Sequence, residues 1–132
     1  RLLGLAWSGA DAEALRVAAK AVLADQRADG GWGQRAELPS DPYATGLAVF
    51  ALRESGAAAA GDPAIQKGAQ FLLASQRADG SWYVRSRSPK FQPYFESGFP
   101  YGHDQWISSM ATGWATAALA TTLPETARTA SR

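Results

Sequence analysis

Glu96, His103 and Asp104 are the residues of this chain whose types and spacing suit acid–base chemistry. They lie in the stretch Phe91-Gln-Pro-Tyr-Phe-Glu-Ser-Gly-Phe-Pro-Tyr-Gly-His-Asp-Gln-Trp, which gathers six aromatics (Phe91, Tyr94, Phe95, Phe99, Tyr101 and Trp106) around them. A carboxylate beside an imidazole can move a proton near neutral pH. Apolar walls with a few convergent polar groups are the usual make-up of a small-molecule pocket. With Tyr43, at the start of another apolar segment, this gives an expected ligand-contacting set of Tyr43, Tyr94, His103 and Trp106. Each residue also has a plainer reading. Asp104 stands where a helix N-cap is expected. His103 reads equally as a loop residue held by hydrogen bonds, and the aromatics as a loop folded onto itself. Arg85, Arg87 and Lys90 form a small basic cluster that reads as a solvated loop.

The elements that position these residues are set by a repeat. Gln-Arg-Ala-Asp-Gly occurs at 26–30 and again at 76–80, and each copy is followed by a tryptophan, Trp32 and Trp82. The offset of fifty residues is the mark of a repeat architecture. Upstream of each copy Leu15 matches Ile65, Val22 matches Leu72 and Leu23 matches Leu73, at steps that fit one face of a helix. Asp62-Pro63 predicts a capped helix start, and Asp-Gly at 29–30 and 79–80 predicts a helix end.

Between these helices lies a second, more apolar class. Asp41-Pro42 opens one and Asp104 another, and both contain Ala-Thr-Gly, at 44–46 and 111–113. Their small residues allow close helix–helix approach, and their apolar circumference predicts burial on several sides. The opening Arg-Leu-Leu-Gly-Leu-Ala-Trp-Ser-Gly reads as the end of one more, with Ser8-Gly9 paralleling Ser55-Gly56. The expected order is inner, outer, inner, outer, inner, over about 1–8, 11–27, 41–55, 62–77 and 104–122. Residues 83–102 form a long connection of the kind that is often functional. The polar tail at 123–132 is expected to fray.

Composition narrows the function classes. The chain has 132 residues, 46% of them hydrophobic, a formal net charge of +1, no cysteine and one histidine. The length suits one domain. Scattered basic residues give no footprint for nucleic acid, and no disulfide or thiolate metal site can form. No metal or cofactor is expected. No signal peptide or transmembrane segment is visible, which leaves the compartment open between a soluble and a membrane-peripheral protein.

Residues 67–82, Lys-Gly-Ala-Gln-Phe-Leu-Leu-Ala-Ser-Gln-Arg-Ala-Asp-Gly-Ser-Trp, resemble the QW motif of the squalene-hopene and oxidosqualene cyclases. Residues 17–32 are a second copy that keeps Gln26, Gly30 and Trp32 but has Ala21 in the aromatic position. The resemblance implies an all-α fold, a partial α/α toroid of alternating inner and outer antiparallel helices spanning residues 1–132. It implies that Gln26, Gly30, Trp32, Gln76, Gly80 and Trp82 are structural staples between outer helices. It also implies a repeat domain of the prenyltransferase and squalene oxidase kind within a larger, bacterial protein, with an isoprenoid or other apolar small molecule as ligand. The prenyltransferases of this superfamily build a zinc site with cysteine, which this sequence lacks. The cyclases protonate an alkene with an Asp-x-Asp-Asp acid, and no such segment occurs here, so cyclisation by this chain alone is not expected. Two alternatives stand beside it. One is a non-catalytic structural or partner- or lipid-binding repeat domain. The other is an α/α-toroid sugar hydrolase using Glu96 and Asp104 as its carboxylate pair.

Overall fold

The computed structural model describes residues 1–89 and 94–123. Phe91, Lys90 and the tail from Pro124 onward therefore lie outside the described residues. The described chain is helical and without strands, in the order α1 (Leu2–Trp7), α2 (Ala12–Ala24), α3 (Pro42–Glu54), α4 (Pro63–Ser75) and α5 (Gln105–Thr122). A short 3₁₀ turn, Gly102–Asp104, leads into α5. The inner helices α1, α3 and α5 lie side by side, and α2 and α4 form the outer layer.

Carboxylate caps start two of the helices, of which the one at Asp41 was expected. Asp41 accepts from the Ala44 N–H at 2.9 Å, with Pro42 in the first turn of α3. Asp11 accepts from the Ala14 N–H at 2.7 Å at the head of α2. Asp62 departs from expectation. Its carboxylate accepts from the Ala59 N–H at 2.8 Å, so it braces the loop ahead of α4 and makes no side-chain cap bond to the helix.

The outer helices also stop earlier than Asp-Gly suggests. They end at Ala24 and Ser75. Gly30 and Gly80, at φ +85° and +83°, instead close a separate tight turn. In the first copy the Gly30 N–H donates to the Arg27 carbonyl at 2.9 Å, and the Arg27 N–H to the Gly31 carbonyl at 3.0 Å. Arg77, Gly80 and Ser81 repeat the pattern at 2.9 Å for both bonds. A type I turn closed by a left-handed glycine reverses the chain and aims the tryptophan back at its own helix.

The core runs along the seam between the layers. Val49, Leu52, Ile65, Leu72, Ala111, Ala115 and Ala118 are wholly buried. Gly46 sets the α3–α5 distance, since a Cβ there would stand 2.7 Å from the Ala115 nitrogen. Phe50 and Trp114 pack beside this contact with ring centroids 5.5 Å apart. Two expectations about burial are corrected. Ile65 and Leu72 face the core, but Leu23 and Leu73 are exposed, because an eighth residue on a helix falls outside a narrow buried stripe. α5 is covered on one side only, with Trp106 and Met110 exposed.

Candidate functional site

The two tryptophan junctions form by the same bonds at equivalent places. The Trp32 indole N–H donates to the Val22 carbonyl at 2.7 Å, and that of Trp82 to the Leu72 carbonyl at 2.8 Å. Both carbonyls are at or near the C-terminal end of an outer helix, where backbone acceptors run short of intrahelical partners. Both indoles are buried, so each ties a helix end to the core with a large apolar side chain and one directed bond. The Gln26 amide donates to the Gly30 carbonyl at 2.9 Å and to the Ala64 carbonyl at 2.8 Å, joining the end of α2 to the first turn of α4. Gln76 makes the intra-turn bond to Gly80 at 2.9 Å and is exposed.

A set of inner-helix polar residues, of which the sequence singled out only Asp104, holds the segments after each tryptophan. Thr45 Oγ1 accepts from the Trp32 N–H at 2.9 Å, and Thr112 Oγ1 from the Trp82 N–H at 3.0 Å. These are the threonines of the two Ala-Thr-Gly motifs. On α5 the grip continues toward the N-terminus. Ser108 Oγ accepts from the Val84 N–H at 3.0 Å, and Asp104 accepts from the Ser86 N–H and the Tyr83 hydroxyl, both at 2.8 Å. Asp104, Ser108 and Thr112 are spaced by four, which puts them on one helix face. The recurrence of small polar residues at that spacing was the available signal.

Asp104 thus occupies the N-cap position of α5 but caps nothing, because its carboxylate is turned onto residues 83–86. Its acceptance of the Tyr83 hydroxyl raises the Tyr83 pKa above 10.0. Glu96 accepts from the Tyr94 hydroxyl and, at 2.9 Å, from the Gly98 N–H. These bonds, the Tyr94 phenol foremost, hold the Glu96 carboxyl below the usual 4.5, and Tyr94 is correspondingly pushed above 10.0. His103 is exposed and packs its ring against Tyr94 at 4.6 Å, and no hydrogen bond of its ring falls among the described residues.

Gln105 organises this cluster. It is wholly buried, accepts from the Ser97 N–H at 2.6 Å and donates to the Phe95 carbonyl at 3.0 Å and the Tyr94 oxygen at 3.2 Å. Residues 94–97 are thereby folded back on the start of α5. Tyr101, at φ +86°, makes the reversal possible at a conformation few side chains adopt. Outside, Phe95 stacks on Trp106 with centroids 6.1 Å apart, and both rings are exposed.

The structure therefore brings Tyr94, Glu96 and His103 together, with Trp106 beside them. Tyr43 belongs elsewhere: it lines a cleft of about 420 Å³ between α1 and α3, whose walls include none of Tyr94, His103 and Trp106. Among the described residues no group of histidine and carboxylate side chains is arranged to hold a metal ion. No described helix is long and apolar enough to cross a membrane.

No curated protein matches the chain. The family model of the squalene-hopene cyclase C-terminal domain matches residues 2–103, which covers both tryptophan junctions, all of α1 to α4 and the loop that carries Glu96. With most of its length matched and its helices wound in two layers, the chain belongs to the squalene-hopene cyclase C-terminal domain family.

Proposed function

We propose that this chain is a wall of a squalene-hopene-cyclase-like toroid, a scaffold that shapes an apolar cavity and does not itself supply the proton for cyclisation. The observation that carries this reading is the engagement of its carboxylates. An acid that protonates an alkene must be held protonated, whereas Glu96 is held ionised by Tyr94 and Gly98. Asp104 is spent on Tyr83 and Ser86. No Asp-x-Asp-Asp segment occurs in the sequence. Incubation of the purified chain with squalene, followed by product analysis, tests the reading: no hopene is expected, and its formation would overturn it.

A second reading assigns the 94–106 surface, with Tyr94, His103 and Trp106, to an isoprenoid or similar apolar ligand. The exposed Phe95–Trp106 stack favours it, since paired exposed aromatics suit an apolar partner. Saturable quenching of tryptophan fluorescence by an isoprenoid, abolished by Trp106→Ala, is the result this reading requires. The sugar-hydrolase alternative needs a carboxyl raised toward neutrality, and the direction at Glu96 is opposite.

A further inference from the structure

The segment that follows Trp82 runs along α5 on three rungs. The N–H groups of Trp82, Val84 and Ser86 donate in turn to Thr112, Ser108 and Asp104, at 3.0, 3.0 and 2.8 Å. Ser108 Oγ also donates back to the Val84 carbonyl at 3.2 Å. The spacings match, since four helical residues rise about 6 Å and two extended residues about 6.6 Å. α5 thus serves this segment as a neighbouring strand would. The first tryptophan junction has a single rung, from the Trp32 N–H to Thr45. Asp41, the counterpart of Ser108 when the Ala-Thr-Gly motifs are aligned, is used there to cap α3. The longer run is therefore an addition to the repeat, beyond what seating a tryptophan requires.

In an extended chain the backbone groups of successive residues point to opposite sides. With Trp82, Val84 and Ser86 turned to α5, those of Tyr83 and Arg85 point away from it. They make no hydrogen bond among the described residues. The side chains alternate as well. Trp82 and Val84 are buried, while Arg85 and Arg87 are exposed on the outer face and form no ion pair among the described residues. Tyr83 shares that face, with the Arg77 guanidinium 5.7 Å from its ring centroid. The edge offers open backbone groups beside a row of positive charge.

We propose that the outer edge of residues 83–87 docks an extended acidic segment of another protein. Backbone bonds to Tyr83 and Arg85 hold it, as when a strand adds to a sheet edge. Carboxylates at its alternate positions stand opposite Arg85 and Arg87. Charge selects the partner: a second copy pairing through the same edge sets arginine against arginine, which disfavours it. The proposal is independent of any part the chain has in cyclisation.

The test is a titration with the peptide Thr-Glu-Val-Glu-Val-Glu-Thr, followed by amide exchange. Exchange at Tyr83 and Arg85 should slow by about fivefold or more, and that at Val84 and Ser86, already bonded to α5, should not change. The same peptide with lysine for glutamate should protect neither amide. Arg85→Pro removes an outward N–H from a backbone that stays extended, and should abolish binding; unchanged exchange at Trp82 and Val84 shows the segment still seated. Arg85→Glu combined with Arg87→Glu should reverse the preference between the two peptides. Absence of protection by the acidic peptide overturns the proposal, as does equal protection by both peptides. Slow exchange at Tyr83 and Arg85 in the free protein would mean an edge already paired and overturn it too. So would protection that rises with protein concentration alone, which assigns the edge to a second copy.

Discussion

Replacing Trp82 by alanine should cost this protein stability on a scale that can be worked from its contacts. The indole is buried at 2% exposure, against the end of α4. Deleting a buried aromatic side chain costs about 3–5 kcal/mol through lost apolar burial and the cavity left behind. The indole N–H bond to Leu72 is part of that sum, at roughly 1 kcal/mol. Its share stays modest because the Leu72 carbonyl also accepts from Ser75 Oγ at 3.1 Å and is not orphaned. The backbone bond from the Trp82 N–H to Thr112 survives the substitution. Trp82→Phe, which keeps most of the ring and removes the N–H, should therefore cost about 1–2 kcal/mol. Urea denaturation followed by far-ultraviolet circular dichroism measures both. At this chain length the alanine variant should lose more than about 10 °C of thermal midpoint. A cost below about 1 kcal/mol for Trp82→Ala would refute the staple, as would a Trp82→Phe variant as unstable as Trp82→Ala.

The two Ala-Thr-Gly glycines should respond in opposite directions when changed to alanine. Gly46→Ala forces a Cβ against the Ala115 backbone and should destabilise by about 1–3 kcal/mol, whereas Gly113, with open space around it, should gain up to about 1 kcal/mol from the better helix former; equal shifts in urea midpoint would contradict the α3–α5 contact. Asp104→Ala should free residues 83–86, seen as faster amide exchange at Ser86, and should return the Tyr83 phenol toward 10.0 in a spectrophotometric titration. Glu96 is ionised more readily in the folded protein than in the unfolded chain, so its contribution is complete above the ordinary value of 4.5 and is lost as pH falls through the lower native value. Tyr94 runs the other way: its raised pKa means a contribution complete below 10.0 and lost as pH rises beyond it. In a His103→Asn variant, which removes the imidazole ring 4.6 Å from Tyr94, resonances of Gly98 and Tyr94 should thus hold steady from pH 5 to pH 9, and a midpoint inside that interval would contradict the Tyr94–Glu96 bond.

The sequence by itself determined the repeat, and with it the number, order and class of the helices. Periodic apolar positions, Asp-Pro starts and the recurring Gln, Gly and Trp are local signals, read within one or two turns of chain. They led to Trp32 and Trp82 as the tryptophans of two equivalent junctions and to Gly46 as a close contact. What they did not carry was the choice each polar side chain makes among several partners. Asp104 and Asp62 have the right type and place to cap a helix, yet Asp104 finds donors across the fold and Asp62 finds one in the loop just ahead of it. Asp104 meets Tyr83 and Ser86 because the turn at Gly80 lays an extended segment along α5. The same holds for Gln105, an unremarked residue of the sequence whose burial under residues 94–97 makes it the anchor of that loop. Tyr43 and Tyr94 read as one site in the sequence, but they sit in separate surroundings because helix register and loop folding, not residue type, decide which side chains converge. Helix identity is a sum of short-range preferences, so it is legible in one dimension. Hydrogen-bond partnership between residues 18 or 20 positions apart depends on distances that exist only once the layers have packed.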